Sequence, residues 1–182
     1  MIRFVNYRHP RPLDAIEVTS RAVGWSRQLS PMLLGPVDLW GEHRALTVEN
    51  AWQYSKVYAE HWDGTKPTPD WYLWAAAGWD NPVGVRYPMG KGVKPVCSWW
   101  NGQALTYLEA RRQIYLPLYS RAVVNTPAYA QLRTLYQQNG EITILDFDVQ
   151  CRNGRTWSEI FNDTSHPFGH GYVLGMMLER GI

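Results

Sequence analysis

Three prolines and three glycines fall within the sixteen residues from Asp80 to Pro95. Proline removes a backbone donor and fixes φ, and glycine raises the entropy cost of ordering, so no regular element runs through this stretch. The chain must be built from pieces on either side of a long shaped loop, and loops of that length in compact domains are often functional. Pro10, Pro12, Pro31 and Pro36 divide residues 1–37 in the same way into short extended pieces. Among these, Ala15–Thr19 alternates like a short strand, and Leu39–Arg44 is a second short candidate.

Helical periodicity begins at Thr47. With Thr47 as N-cap, Val48, Ala51, Trp52 and Ser55 repeat at helical spacing and predict a helix to about Glu60. Gly64, Pro67 and Pro69 mark a loop, after which Asp70 caps a short helix through Ala77, ended by Gly78. From Gly102 to Tyr136 the pattern is helical in two or three pieces, with a break or kink at Pro117. Thr126-Pro127 is a restart signal, and the next helix stops at Asn139-Gly140. Glu141–Phe147 is the strongest strand. After a loop at Asn153-Gly154 come a short helix near Trp157–Phe161 and a final apolar helix over Gly169–Glu179. Helices with a few short strands predict an α+β fold, mainly helical. The length, 182 residues, predicts one domain, which would bury about 70% of its unfolded-chain surface.

Composition excludes several classes. A hydrophobic content of 45% with 19% charged residues is globular rather than disordered. A net charge of +2 is too small a footprint for non-specific DNA binding. The two cysteines, Cys97 and Cys151, make neither a disulfide framework nor a C-x-x-C pair. Residues Met1–Pro12 hold three arginines and no apolar h-region, and no stretch approaches the ~20 apolar residues that span a bilayer. The expectation is a cytoplasmic protein without a membrane partner. Ten Trp and eleven Tyr against four Phe fit either a Trp-rich core under a Tyr-rich surface or an aromatic-lined cleft.

On a helix, Glu49, Trp52, Gln53 and Lys56 lie at i, i+3, i+4 and i+7 and form one stripe. An acid, an indole, an amide and an ammonium on one stripe make either a ligand-facing surface or a solvated face with an acid–base pair. Arg86, Lys91 and Lys94, with Gly90 and Gly92 among them, make either a phosphate-binding loop or a solvated basic turn. It is not a Walker A sequence. His166 and His170 have metal-ligand spacing, but Pro167 and Gly169 interrupt it and the Glu of H-E-x-x-H is missing, so neither a metal nor another cofactor is expected. No Gly-x-Ser-x-Gly elbow is present.

The run Thr47-Val48-Glu49-Asn50-Ala51-Trp52-Gln53-Tyr54-Ser55-Lys56 resembles the T-V-E-H-A-Y-Q-x-x-K helix of the NADAR/YbiA-like N-glycosidases, with Asn50 where the family carries His. In the same order, Val124–Leu135 is similar to the family's K-F-x-x-N-P-x-L-x-x-x-L. Ile142–Asp148 is similar to its acidic strand, and Gly169–Gly175 to its terminal G-x-N-x-L-G helix. The resemblance covers about residues 40–180 and implies a YbiA-like core over 39–182, with 1–38 an extended segment packed on it. It also implies hydrolysis of an N-glycosidic bond in a ribosylated nucleotide, an ADP-ribose conjugate or a modified nucleoside. The partner would then be a nucleotide or an ADP-ribosylated nucleic-acid base. Such chemistry makes C1′ oxocarbenium-like and calls for a carboxylate. Glu49 is the first candidate, with Asp146 and Asp148 next. Trp52, Gln53, Lys56, Arg86, Lys91, Lys94 and His170 are the candidate substrate-binding residues. A non-catalytic binder of the same ligands is the alternative.

Overall fold

Strand β8 (Ile142–Asp146) is buried at every position, so a neighbour must cover each of its edges and faces. In the computed structural model, which describes all residues Met1–Ile182, those edges are taken by β1 (Ile2–Asn6) and β2 (Ala15–Glu17). Both pair parallel to β8, with Phe4 and Ile16 opposite Ile144. The sheet order is β1-β8-β2. A central parallel strand buried on both faces reads as a continuous apolar run, which is why Glu141–Phe147 stood out.

The chain divides into two compact units, Met1–Ser30 with Tyr119–Ile182, and Pro31–Leu118. The first holds this sheet with α5 (Pro127–Asn139), α6 (Trp157–Asn162) and α7 (His170–Arg180). Residues 1–30 supply two of the three strands of that unit's sheet. Helix α5 starts where the sequence predicts, with Thr126 Oγ1 accepting from Tyr129 N at 3.1 Å and Pro127 in the first turn, and ends at Gly140 with φ 68°. Helix α7 is apolar on nearly every side, and a Cβ on Gly175 would lie 2.6 Å from Phe4 Cζ. Close approach of this helix to the β1 side chain requires the glycine.

The second unit contains two small antiparallel sheets. Strands β3 (Val37–Asp38) and β4 (Arg44–Ala45) form a short hairpin, so the expected strand Leu39–Arg44 is mostly the turn between them. Helix α1 (Val48–Gln53) begins on the Thr47 cap but stops seven residues short of Glu60. The physical reason is competition for the backbone. Residues Lys56–Val57 become β5 and pair with Cys97–Ser98 of β6 (Cys97–Trp100), Trp99 N bonds to Ser55 O at 2.7 Å, and Trp71 Nε1 bonds to Lys56 O. Those tertiary bonds override helical periodicity.

Helix α2 (Pro69–Trp79) runs through Gly78 instead of ending there. An added Cβ at Gly78 would sit 1.9 Å from Tyr54 Cδ1, so this glycine serves packing and not termination. The expected helix from Gly102 instead opens with β7 (Gln103–Leu105), which completes the order β5-β6-β7. Helix α3 (Tyr107–Ala110) starts in a capping box between Thr106 and Glu109. A π-helical turn, Arg111–Tyr115, then leads into α4 (Leu116–Val123). Pro117 does not break the path: it follows directly on the π-turn, where Leu116 N bonds Arg111 O and the backbone stays helical from Ala110 through Leu116. The 80–95 stretch carries no helix or strand, as its composition requires.

Candidate functional site

In the Pro31–Leu118 unit the site is built on α1. Glu49 and Gln53 are buried, at 6% and 5% exposure, so the acid–amide stripe is not a solvated face. Gln53 Nε2 donates to Glu49 Oε1 at 2.8 Å, and Lys56 Nζ donates to Gln53 Oε1 at 2.6 Å. The three polar side chains form a relay in which the Gln53 amide bonds both the carboxylate and the ammonium. Lys56 reaches it from β5 rather than from the same helix. Its ammonium also lies 5.1 Å from the centre of the Trp52 ring, within cation–π range. Glu49, Trp52 and Gln53 share α1 as helical spacing describes, and Lys56 joins them from β5.

Two rings and a guanidinium extend this group. Trp52 lies 5.2 Å from Tyr115 and 6.2 Å from Tyr107, ring centre to ring centre. The Arg111 guanidinium stacks 4.3 Å over Tyr107 and is only 1% exposed. Sequence reasoning passed over Tyr107 and Arg111. Their signal was the i, i+4, i+8 row Tyr107, Arg111, Tyr115, hidden because the expected helix had the wrong start and ignored the π-turn.

Asn50 is the other missed residue. It is fully buried and donates through Nδ2 to the carbonyls of Asn81 (2.8 Å) and Val83 (2.9 Å). Its Oδ1 accepts from Val85 N at 2.8 Å. One side chain on α1 therefore fixes the entrance to the 80–95 loop. Further along that loop, Arg86 lies 5.5 Å from the centre of the Tyr87 ring, and Lys91 and Lys94 are exposed. Gly90 N donates to Tyr87 O at 3.0 Å, so that N–H serves the turn and is not offered to an anion. The positive φ of 99° at Gly90 and 91° at Gly92 supplies the sharp turns.

Asp146, Asp148 and His170 belong to the other unit. Asp146 is 2% exposed, and its Oδ2 accepts from Gly171 N at 3.1 Å and faces His170 Nδ1 at 3.3 Å. Oδ1 accepts from Phe147 N at 2.7 Å. His170 Nε2 donates to the Val18 carbonyl at 2.8 Å. These bonds anchor the start of α7 to the end of β8, where a carboxylate also complements the helix dipole. The fit is tight: a Cβ on Gly169 would lie 2.5 Å from Asp146 Oδ2 and 2.9 Å from Asp148 O. The buried phenol of Tyr119, 5.6 Å from the His170 ring centre, has its pKa pushed well up by burial and by the Asp146 charge. Asp148 lies in the turn after β8, where its carbonyl accepts from Gly169 N.

No family model, curated protein or solved structure matches this chain. Histidine geometry gives no metal centre either. His170 is committed to Asp146 and Val18, whereas the exposed His166 bonds Asp163 at 3.2 Å in the turn after α6. No group of three or more His, Cys, Asp or Glu converges on one point. No helix is long and apolar enough to cross a membrane.

Proposed function

We propose that the protein is a YbiA-like N-glycosidase that hydrolyses the bond between ribose and a base-like leaving group. Its substrate is a ribosylated nucleotide, an ADP-ribose conjugate or a modified nucleoside. The observation that carries this reading is the Glu49–Gln53–Lys56 relay set beside the Trp52, Tyr115 and Tyr107 rings. The Gln53 amide orients the Glu49 carboxylate, and a pre-oriented charge does not have to reorganise as the reaction proceeds. As the glycosidic bond breaks, C1′ gains positive charge, which Glu49 stabilises directly or by activating water. The aromatic walls offer stacking faces for a base, and Lys56 supplies a cation for an anionic substrate.

A non-catalytic binder of the same ligands is the second reading. The low exposure of Glu49, 6%, favours it, because a buried carboxylate bonded within the protein also serves as a structural element. Mass spectrometry of a metabolite and ADP-ribosylated-DNA panel, incubated with the purified protein, separates the two. Hydrolysis releases a free base together with a ribosyl product. Ligand recovered intact after saturating binding would overturn the enzyme reading and leave the binder.

A further inference from the structure

A cleft of about 580 Å³ opens beside β1, in the unit formed by residues 1–30 and 119–182. That size is typical of small-molecule sites. Val5 and Pro12, with the edges of the buried Ile2 and Phe4, contribute apolar surface, and Arg3, Arg152 and Arg155 line it together with Asp14. The two arginines at 152 and 155 are held at the ends of a tight turn, Arg155 N to Arg152 O at 2.9 Å, with positive φ at Asn153 (48°) and Gly154 (79°). This is the type I′ geometry that Asn-Gly favours.

Each guanidinium is also held by a carboxylate outside the cleft lining: Arg3 by Glu141, Arg152 by Glu179 and Arg155 by Asp163. Those pairs offset charge but fix the planes. Arg152 also donates through Nε to Arg155 O at 3.3 Å and stacks 4.3 Å over the Trp157 ring. A guanidinium has five N–H donors, and these bonds leave donors on all three. An apolar trough with fixed guanidinium donors at its rim matches a ligand with a hydrocarbon body and an anionic, bidentate head.

A peptide strand added to β1 is the competing occupant. Ile142 N bonds Met1 O and Tyr7 N bonds Asp146 O, so the odd-numbered residues of β1 face β8 and the even-numbered ones face outward. The outward Phe4 carbonyl already accepts from Cys151 Sγ at 3.4 Å. That contact interrupts the ladder a peptide would need and favours a small molecule.

We propose that this cleft is a binding site for a small amphiphilic carboxylate, of the size of a medium-chain fatty acid. The assignment is independent of the reaction proposed for Glu49. Cys151 lines the cleft and is exposed, so a bound chain shields its thiol. Cys97 lies in the other unit, half-buried, with burial pushing its thiol pKa up, and serves as the internal reference.

The test is the rate of iodoacetamide alkylation at each cysteine, followed by mass spectrometry on the full chain, with decanoate, octanoate or decanol present below their aggregation limits. Saturating decanoate slows Cys151 at least about fivefold and leaves Cys97 unchanged. Octanoate needs about fifteenfold more for half protection, since each buried methylene changes affinity about fourfold. Decanol, and decanoate against Arg155→Gln, are each about tenfold weaker, the loss of a charge-assisted hydrogen bond. An unchanged Cys151 rate with decanoate on the unmodified protein overturns the site. Equal protection by decanol overturns the anion assignment, and equal slowing of both cysteines shows non-specific detergent action. Protection by an extended peptide but not by decanoate assigns the edge to strand addition instead.

Discussion

Asn50 bonds three backbone groups of one loop, at Asn81, Val83 and Val85, with no exposed atom. Replacing it by Ala leaves two carbonyls and one N–H without their partner, which costs about 1–3 kcal/mol per stranded group before water enters. Chemical denaturation of Asn50→Ala is expected to show a loss of about 2 kcal/mol or more. Asn50→Asp is expected to lose more, because it points carboxylate oxygens at two carbonyl oxygens; an Asp variant as stable as the parent would refute this pinning role. The residue type alone did not disclose the role. Asn at the third position of a capped helix reads as ordinary surface, and only the path of residues 81–85 makes it a clasp. Glu49 shows the same limit. Its place on α1 was legible from the Thr47 cap and the helical repeat, but its burial was not, because burial depends on what folds over the helix.

At the scale of elements, local signals succeeded wherever capping and periodicity acted alone. The Thr126-Pro127 start, the Asn139-Gly140 stop and the apolar run of β8 all match the structure. They failed where a distant partner competed for the backbone: β5 ends α1 early, and β7 replaces the start of an expected helix. Glycines are the sharper case. Gly169 and Gly171 look like poor starts for a helix, yet they let α7 approach Asp146 closely. Gly169→Ala forces Cβ against Asp146 Oδ2 and Asp148 O, and overpacking of this kind costs about 1–3 kcal/mol. Thermal unfolding is expected to show that loss. Gly169→Ala with an unchanged Tm would mean that the β8–α7 junction is looser than its geometry indicates.

On the scale of the whole molecule, the α+β class was legible and the long-range pairing within the sheet was not. Ile2 pairs with Ile142, 139 intervening positions away, and a parallel register of that separation leaves no local trace in sequence. The candidate residues likewise fall into two groups, Glu49 with its relay in one unit and Asp146 with His170 in the other. Within the second, Asp146 is bonded to the start of α7, an anchoring arrangement that strand-end placement alone did not reveal.

The central claim is that Glu49 acts on the reaction and not only on the fold. Glu49→Gln keeps the size and much of the hydrogen bonding but removes the charge, so the change acts mainly on the transition state. The direct measurement is single-turnover release of base by the folded Glu49→Gln protein, with ligand affinity measured on the same sample. The account predicts release slowed by about 10²-fold or more, with affinity within several-fold of the parent. Release at the parent rate would contradict it and remove Glu49 from the reaction.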